Sequence, residues 1–434
     1  MPWTHKPRDM NLASRLTQFL SQKQIHLIQL IADEASRLGL TLYAVGGLPR
    51  DLLLRRFTRD LDLVVEGEAI PLARALSRLH GGRVNVHPAF HTATWTLPPA
   101  LDFGHSTLDL ISARSETYQH PAALPTVSLG TLADDLQRRD FAINAMAICL
   151  NGDRFGELVD PLGGQADLEA KVVRALHPRS FEDDPTRIFR AVRYAGRLGF
   201  AIAPETKALI PAAVQHVDAL SPERLRHELD LIFEEEDSVP MLNMLWDLNV
   251  LQSVLPPLPS DPFCRARFEK SRSHFFIQPR ALSPEISQRR DWRWMTWFLA
   301  CSSEEISAFD QRLAFPADLR KKCLAAAALH KELDLLQGSR PSGAVIRFDA
   351  AGEDAVMVNY ICASLGDSRG LLEKYLTNWK LMKPKTTSQT LLSRGIPPGP
   401  RFGEILQLLR AAWLDGEVKS EDEEERLLME LIKK

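Results

Sequence analysis

Two aspartates one residue apart, Asp60 and Asp62, stand at the start of an apolar run that continues through Val65, inside the stretch LYAVGGLPRDLLLRRFTRDLDLVV from Leu42 to Val65. If that run is a strand, its period of two puts both carboxylates on one face. Like charges held side by side repel unless a cation lies between them. Hard oxygen ligands that close suit Mg²⁺, which prefers one or two carboxylates together with substrate phosphate oxygens and its own waters. Ahead of the pair, Leu42 to Val45 forms a short apolar run that stops at Gly46-Gly47, and a helical pattern follows from Leu48 to Arg56. A strand broken by two glycines and turned into a helix gathers bare backbone N–H groups, with the positive end of the helix dipole behind them. That is a seat for phosphate, and Arg50-Asp51 fall on its first helical turn. A Gly-Gly turn alone is most often only a turn, and an Asp-x-Asp alone is most often a solvated strand face. Together they read as a metal-dependent phosphoryl or nucleotidyl transfer site. The stretch is neither a Walker A loop, since no Gly-Lys-Ser/Thr follows, nor a dinucleotide fingerprint.

Two further clusters carry chemistry. DLQRRDFAINAMAI, from Asp135 to Ile148, sets Arg138, Arg139 and Asp140 at one entry point with Asn144 one helical turn on. Guanidiniums of this kind fork onto triphosphate oxygens, while an Asp or Asn takes a ribose hydroxyl. The plain alternative is a salt-bridged surface helix. FEDDPTRIFRAVRYAGRLGF, from Phe181 to Phe200, opens with Asp183 or Asp184 as a helix cap and Pro185 in the first turn. Arg187, Arg190, Arg193 and Arg197 then recur every three or four residues, with Ile188, Phe189, Val192, Ala195 and Leu198 on the other face. For Arg193 and Arg197 the expectation is a solvated stripe.

In this order, the three stretches resemble the signatures of the DNA polymerase β nucleotidyltransferase superfamily, in the class II form found in bacterial tRNA nucleotidyltransferases (CCA-adding enzymes) and their poly(A) polymerase relatives. The second stretch is similar to that family's RRDFxxNAM nearly letter for letter. The third resembles its Glu-Asp-x-x-Arg signature, with Asp183 where Glu is usual and Asp184 and Arg187 intact. Ser221-Pro222-Glu223-Arg224, with Glu228 and Leu229, resembles a short Glu-Arg-x-x-x-Glu-Leu signature, where ion pairing would stiffen a neck. Ser393 to Gly416 resembles the family's tail. The main resemblance runs from Leu40 to about Glu235, roughly half the chain.

The resemblance implies roles residue by residue. Asp60 and Asp62 would hold a pair of Mg²⁺ ions, and Asp109, in the apolar run TLDLI, would be a third carboxylate beside them. Gly46, Gly47, Arg50 and Asp51 would seat the triphosphate, with Arg138, Arg139, Asp140 and Asn144 around ribose and phosphates. Asp184, Arg187 and Arg190 would face the nucleotide. An Arg donates to cytosine O2 and N3 and an Asp accepts from an exocyclic amine, so one protein pair can stand in for a complementary base. The implied reaction moves nucleotide monophosphates from CTP and/or ATP to a tRNA 3′ end and releases pyrophosphate. A poly(A) polymerase of the same family is the alternative enzyme. A catalytically silent RNA-binding protein on this scaffold is the alternative from another class, and two repelling carboxylates kept on one strand argue against it. The PAALPTV segment departs from the Arg-Arg-Pro-like pattern of full CCA-adding enzymes, which leaves open whether C, A or both are added.

These residues need elements to position them. Apolar residues at helical spacing predict a helix over Thr17 to Leu40, and another over Pro71 to Leu79. Arg83 to Val86, Ala93 to Leu97 and Thr107 to Ile111 read as short strands. Ser112 to Asp134 has no sustained period and reads as a long loop or partly helical insertion. Asn151-Gly152 is a hairpin signal, and Gly163-Gly164 after Pro161 looks like a hinge. Beyond Pro256 to Pro259 the spacing is helical throughout. There Arg265, Arg267, Lys270 and Arg272 interleave with Phe268, Phe275, Trp292, Trp294 and Trp297, a composition shared by RNA-facing surfaces and by helix edges around an aromatic core, the second being favoured for the tryptophans. Glu421 to Glu425 reads as a solvated first turn. The expected class is α+β, with an N-terminal nucleotidyltransferase head built on a small mixed sheet and an all-α neck, body and tail. The divisions fall at 1–160 (catalytic head), 161–256 (neck, base recognition) and 257–434 (body and tail, tRNA binding).

Composition bounds the rest. At 434 residues, 45% hydrophobic and 25% charged, the chain has an ordinary globular make-up and room for several cores. No apolar run is long enough to span a bilayer, and MPWTHKPRDM lacks the apolar centre of a signal peptide. The five cysteines are scattered with no C-x-x-C spacing, so neither a disulfide frame nor a zinc site is expected. The setting read from this is cytoplasmic, with no membrane and no DNA partner. A formal net charge of −3 exerts no global pull on nucleic acid, so RNA must be met by local basic surface.

Overall fold

A computed structural model describes residues 10–57, 61–254, 264–277, 286–363 and 366–433. The chain divides into two compact units, Met1–Ser221 with Met244–Val254, and Pro222–Asn243 with Leu255–Lys434.

The first unit is built on a seven-stranded mixed sheet. Its strands are β1 (Thr41–Val45), β2 (Leu63–Glu66), β3 (Arg83–His87), β4 (Thr92–Thr96), β5 (Thr107–Ser112) and, past a separate ribbon, β8 (Ala147–Cys149) and β9 (Leu158–Val159), in the spatial order β3-β4-β5-β2-β1-β8-β9. β1 is central and covered on both faces, with Leu42, Tyr43, Ala44 and Val45 all buried, and so reads as a continuous apolar run rather than an alternation. It pairs antiparallel with β2 through Leu42↔Val65 and Ala44↔Leu63, and with β8 through Ala44↔Ile148. β2 pairs parallel with β5 through Leu63↔Leu110. Helix α2 (Gln22–Arg37) packs on β1, and α4 (Ala69–His80) packs on β4 and β5.

Several expectations shift in detail. The single helix expected over Thr17 to Leu40 is two, α1 (Ala13–Phe19) and α2. Ser21 starts the second with a capping box, its Oγ accepting from Gln24 N while Gln24 Oε1 accepts from Ser21 N at 2.9 Å. That Ser-x-x-Gln signature is a start signal that apolar periodicity alone overlooks. The segment Ser112 to Asp134 is a two-stranded ribbon, β6 (Arg114–Thr117) and β7 (Thr126–Leu129), with Arg114 opposite Leu129 and Thr117 opposite Thr126. The ribbon stands apart from the main sheet and neither strand has a buried face, so there is no apolar alternation to read. At Asn151-Gly152 the chain makes a 3₁₀ turn rather than a two-residue hairpin. The Asn151 side chain braces β1 instead, its Oδ1 accepting from Leu42 N at 2.6 Å and its Nδ2 donating to Leu40 O at 3.1 Å.

The Gly163-Gly164 step is a packed turn, not a hinge. Asp160 accepts from Gly164 N at 2.7 Å and Gln165 N at 2.8 Å, capping α6 (Gly164–Ala170), and a Cβ on Gly164 would lie 2.3 Å from Ala142 O. Backbone oxygen cannot swing away as a side chain can. Gly164→Ala is therefore expected to cost roughly 1–3 kcal/mol, the range for overpacking, read as a lowered midpoint in urea with the slope unchanged.

The second unit is helical throughout its described residues. Ile286–Phe298 packs between Pro222–Glu234 and Ala317–Leu336, and the aromatic core holds Phe233, Phe268, Trp294, Trp297 and Phe298. Trp294 meets Phe233 edge-on at 4.6 Å and donates Nε1–H to Asp230 at 2.7 Å, so Trp294 and Trp297 are core as expected, while Trp292 is half-buried and donates Nε1–H to Asp354 at 2.8 Å. The last helix, Glu421–Lys433, differs from expectation at one residue. Glu424 is buried, accepting from Thr386 N at 2.6 Å and Lys385 N at 2.9 Å, and ties the segment before Ser388–Ser393 to the C-terminal helix. None of the five cysteines is in a disulfide, and among the described residues no helix is long and apolar enough to cross a membrane.

Candidate active site

The first unit contains a cavity of about 360 Å³ with a strongly polar wall. Its floor is the glycine turn between β1 and α3 (Gly47–Leu53). Gly46 has φ 69° and ψ −116°, a conformation that disfavours any Cβ, and a Cβ there would sit 3.2 Å from Asp62 Oδ2 and 3.3 Å from Arg139 Nη1. The bare glycine is what lets an acidic and a basic side chain close over the turn. Asp62 lies just before β2, its carbonyl accepting from Val45 N at 3.0 Å, so the acidic residue is fixed to β1 while its side chain is exposed at the cavity. Asp60 lies outside the described residues.

The parallel register of β2 and β5 sets Asp62 and Asp109 one residue ahead of the Leu63–Leu110 pair, and both aspartates are exposed while both leucines are buried. They share a sheet face. Asp109 lies off the cavity wall and accepts from Thr94 Oγ1 at 2.6 Å.

The wall is basic. Arg50, Arg138, Arg139, Arg187, Arg190 and Arg197 line it against four carboxylates, Asp62, Glu116, Asp140 and Asp184. Most of these guanidiniums are held from behind. Arg50 is gripped by both Asp51 oxygens, at 2.9 and 3.1 Å, and donates Nη1–H to Asn144 Oδ1 at 2.7 Å. Asn144 in turn donates to Asp140 Oδ1 at 3.0 Å, and Asp140 Oδ2 takes Nε–H and Nη2–H of Arg190 at 2.8 and 2.6 Å. One chain of contacts thus joins the first, second and third sequence clusters. Asp51 is not on the wall; it orients Arg50 from behind.

Below the wall, Asp135 is fully buried in the first turn of α5 (Leu132–Gln137). One of its oxygens takes Arg138 Nε–H and Nη2–H at 3.0 and 2.6 Å, and the other takes Arg139 Nη2–H at 2.8 Å. Burial alone would raise this carboxyl, but Arg139 and Arg138 outweigh it and hold it below the usual range. Asp140 behaves likewise, with Arg190 and Asn144 overcoming burial.

Asp184 ends α7 (Ser180–Asp183) and precedes α8 (Thr186–Leu198), its Oδ1 accepting from Thr186 N at 3.1 Å and Thr186 Oγ1 at 2.7 Å. Arg187 is buried, donating to Ser180 Oγ at 2.9 Å and Arg138 O at 2.8 Å. Arg193 departs from the solvated stripe: it is buried, with its guanidinium 5.3 Å from the Tyr194 ring, while Arg197 is exposed and reaches the cavity. A full apolar face on α8 would have been needed for the plain amphipathic reading, and here the buried face is partly arginine.

The structure thus brings together Gly46, Gly47, Arg50, Asp62, Arg138, Arg139, Asp140, Asn144, Asp184, Arg187 and Arg190 on one cavity. Glu116, Tyr118 and Tyr194 line it too, and Asp135 lies behind it, four residues to which the sequence motifs assign no role. Asp135 could have been found from its spacing of three and four residues to Arg138 and Arg139. Glu116 and Tyr118 lie in the aperiodic ribbon, where no pattern marks them. Chemically, the arrangement can take a polyanion against oriented guanidiniums with one carboxylate at its glycine-lined end. Asp62, completed by substrate oxygens and water, is the kind of hard donor set a divalent cation accepts, so the residues fit such an ion.

Comparison with known proteins agrees with this geometry. Residues 42–174 match the Poly A polymerase head domain, and residues 199–260 match the probable RNA and SrmB-binding site of polymerase A. The chain is 32% identical to the A-adding tRNA nucleotidyltransferase of Halalkalibacterium halodurans over 95% of its own length and 94% of the relative's. It is 31% identical to the CC-adding tRNA nucleotidyltransferase of Deinococcus radiodurans over 89% and 88% of the two chains. The Thermotoga maritima CCA-adding enzyme, solved in complex with tRNA, superposes with a TM-score of 0.79 at 28% identity, covering 98% of each chain. With the glycine turn, Asp62 and the arginine wall found together on one cavity, and the likeness running the length of the chain, this protein belongs to the tRNA nucleotidyltransferase family.

Proposed function

We propose that this protein extends the 3′ end of tRNA with A and/or C residues, taking the nucleotide from ATP or CTP and releasing pyrophosphate. The observation that carries the reading is the convergence of Gly46, Asp62 and six arginines on one cavity. Guanidiniums already oriented by carboxylates present their remaining N–H groups to a triphosphate with little reorganisation, which favours transition-state charge over ground-state binding. In this reading Gly46, Gly47, Arg50 and Arg139 take the triphosphate, Asp140 and Asn144 set Arg50 and Arg190, and Asp184 with Arg187 faces the base edge. Asp62, with Asp60, would hold Mg²⁺, which supplies charge neutralisation between the attacking 3′-hydroxyl and the leaving pyrophosphate. Asp109, sharing the face of Asp62, would support the same site. We place the reaction in the cytoplasm, where five cysteines outside any disulfide are at home.

Relatives of both A-adding and CC-adding kinds match at nearly equal identity, so the proposal covers either nucleotide. A poly(A) polymerase is not favoured, because the full-length relatives act on tRNA by name.

The base-edge role has its own test. Arg187→Ala is expected to lower discrimination between CTP and ATP by roughly 1–3 kcal/mol while kcat for the preferred nucleotide falls less, because donors to the base are lost and the metal carboxylates stay. Arg187 also ties Ser180 to the Arg138 carbonyl, so Arg187→Lys, which keeps charge but not the fork, separates selection from packing. Unchanged nucleotide preference in a folded Arg187→Ala protein would falsify the assignment.

A further inference from the structure

Two aromatic rings line the cavity, Tyr118 and Tyr194, and their surroundings differ. The Tyr194 ring is already used. Guanidiniums of Arg50, Arg190 and Arg193 lie 5.4, 5.7 and 5.3 Å from its centroid, and Phe141 meets it edge-on at 5.9 Å. It serves as the post around which the arginines are arranged. Tyr118, just past β6, is half-buried and is not the ring that those three arginines approach. Its hydroxyl is tied down instead, donating to Glu116 Oε2 at 3.2 Å. The other Glu116 oxygen takes Arg138 Nη1–H at 2.9 Å and Arg114 Nη2–H at 3.1 Å, so the carboxylate that anchors the tyrosine is itself clamped to the arginine wall. Burial first, then Glu116 and Asp184, push the Tyr118 hydroxyl up to about 12 against the opposing pull of Arg187. The hydroxyl therefore stays protonated and donating at any pH near neutrality, and the ring stays neutral.

We propose that Tyr118 is a positioning residue for the incoming nucleotide, its ring offering a stacking face to the nucleobase whose edge meets Asp184 and Arg187. Three observations converge on this. The ring stands in a wall otherwise made of charged and polar groups, apart from Tyr194 and the glycines. It lines the same cavity as Asp184 and Arg187. Its hydroxyl is already engaged by Glu116, which leaves the ring as the part of the side chain still on offer. Every base has a π-face, so such a ring would hold C and A alike, leaving selection to the residues at the base edge. This inference rests on the base-edge reading above only for where the base lies.

The test is steady-state kinetics on wild type, Tyr118→Ala, Tyr118→Phe and Arg187→Ala, with CTP and ATP varied separately from tRNA. Tyr118→Ala is expected to raise KM for the nucleotide roughly tenfold, toward the lower end of the range for one lost base–aromatic stack, with KM for tRNA little changed. Tyr118→Phe, which keeps the ring and loses the anchor, should recover most of that loss. A ribose triphosphate lacking a base, used as a competitive inhibitor, should bind wild type and Tyr118→Ala equally, because only the base meets the ring. Tyr118→Leu repeats the measurement should the alanine variant fold poorly. Equal losses in the Ala and Phe variants, or a weakened Ki for the baseless inhibitor, would mean a structural role and overturn the proposal. A rise in KM for tRNA alone would move the ring to the primer's terminal base and overturn it as well. Failure of the base-edge reading shows separately, as an Arg187→Ala protein whose C-over-A preference is unmoved while the Tyr118 effects stand or fall on their own.

Discussion

Asp62→Ala is expected to remove nucleotide incorporation almost entirely, by roughly 10³-fold or more in kcat, while thermal stability stays within about 0.5 kcal/mol of wild type. The split follows from where the two halves of the residue lie. The backbone carbonyl of Asp62 accepts from Val45 N and fixes the strand, and alanine keeps that bond. The side chain is exposed at the cavity, so its removal costs little folding energy. A carboxylate that helps hold a divalent cation is worth several kcal/mol to a transition state in which charge builds on phosphate oxygens, and nothing else on the described wall replaces it next to Gly46. Binding of tRNA, measured separately by filter retention or fluorescence, should persist. A mutant that incorporates nucleotide at a near-normal rate in Mg²⁺ would remove Asp62 from the chemistry.

The largest effect on stability is expected at Asp135. Asp135→Ala leaves Arg138 and Arg139 without the fully buried carboxylate that both of them grip. Breaking such a pair from one side strands the other side's charge and costs roughly 3 kcal/mol, the low end of the range because both guanidiniums keep some solvent. In a unit of this size that lowers Tm by roughly 6–12 °C. Activity should fall in the folded remainder too, since the two arginines lose their orientation. The pH dependence has a definite sign. The folded carboxyl is held below its unfolded value, so its contribution is present above the unfolded pKa of about 3.9 and is lost as pH falls through the lower folded value. Wild type should therefore lose stability steeply below about pH 4, and Asp135→Asn should flatten that limb. An alanine variant as stable as wild type, with the same acid limb, would mean that the pair contributes nothing to folding.

How much of this the sequence made legible depends on whether the signal is local. The glycine turn, the RRDFAINAM stretch and the DDPTR stretch carry their chemistry in residues a few positions apart, and the first unit folds them onto one cavity. The mixed sheet was legible for the same reason, because the apolar run of β1 and the short alternating runs of β4 and β5 each mark a strand by themselves. What stayed hidden depends on partners distant in the chain. The ribbon of β6 and β7 shows no alternation because neither strand has a buried face, and its Glu116 gains meaning only from Arg138, twenty-two residues on. Arg193 looked solvated because arginine usually is, and only the ring of Tyr194 and the packing around α8 make it buried. Glu424 was hidden likewise, its partners lying thirty-eight and thirty-nine residues earlier.

Addition of nucleotides to the 3′ end of tRNA can be measured directly. Its most direct measurement offers three tRNA transcripts, ending before the first C, after the first C and after both, together with a generic RNA of similar length. Each is incubated in Mg²⁺ with CTP alone, ATP alone or both, and product length and pyrophosphate are followed together. The expected result is one pyrophosphate per residue added, a stop after a defined one to three residues, and no extension of the generic RNA. Addition of A to the C-C-ending tRNA alone would mark an A-adding enzyme, arrest after two C residues a CC-adding one, and completion of all three a CCA-adding one. Long A tracts on tRNA and generic RNA alike, or no pyrophosphate from any combination, would contradict it.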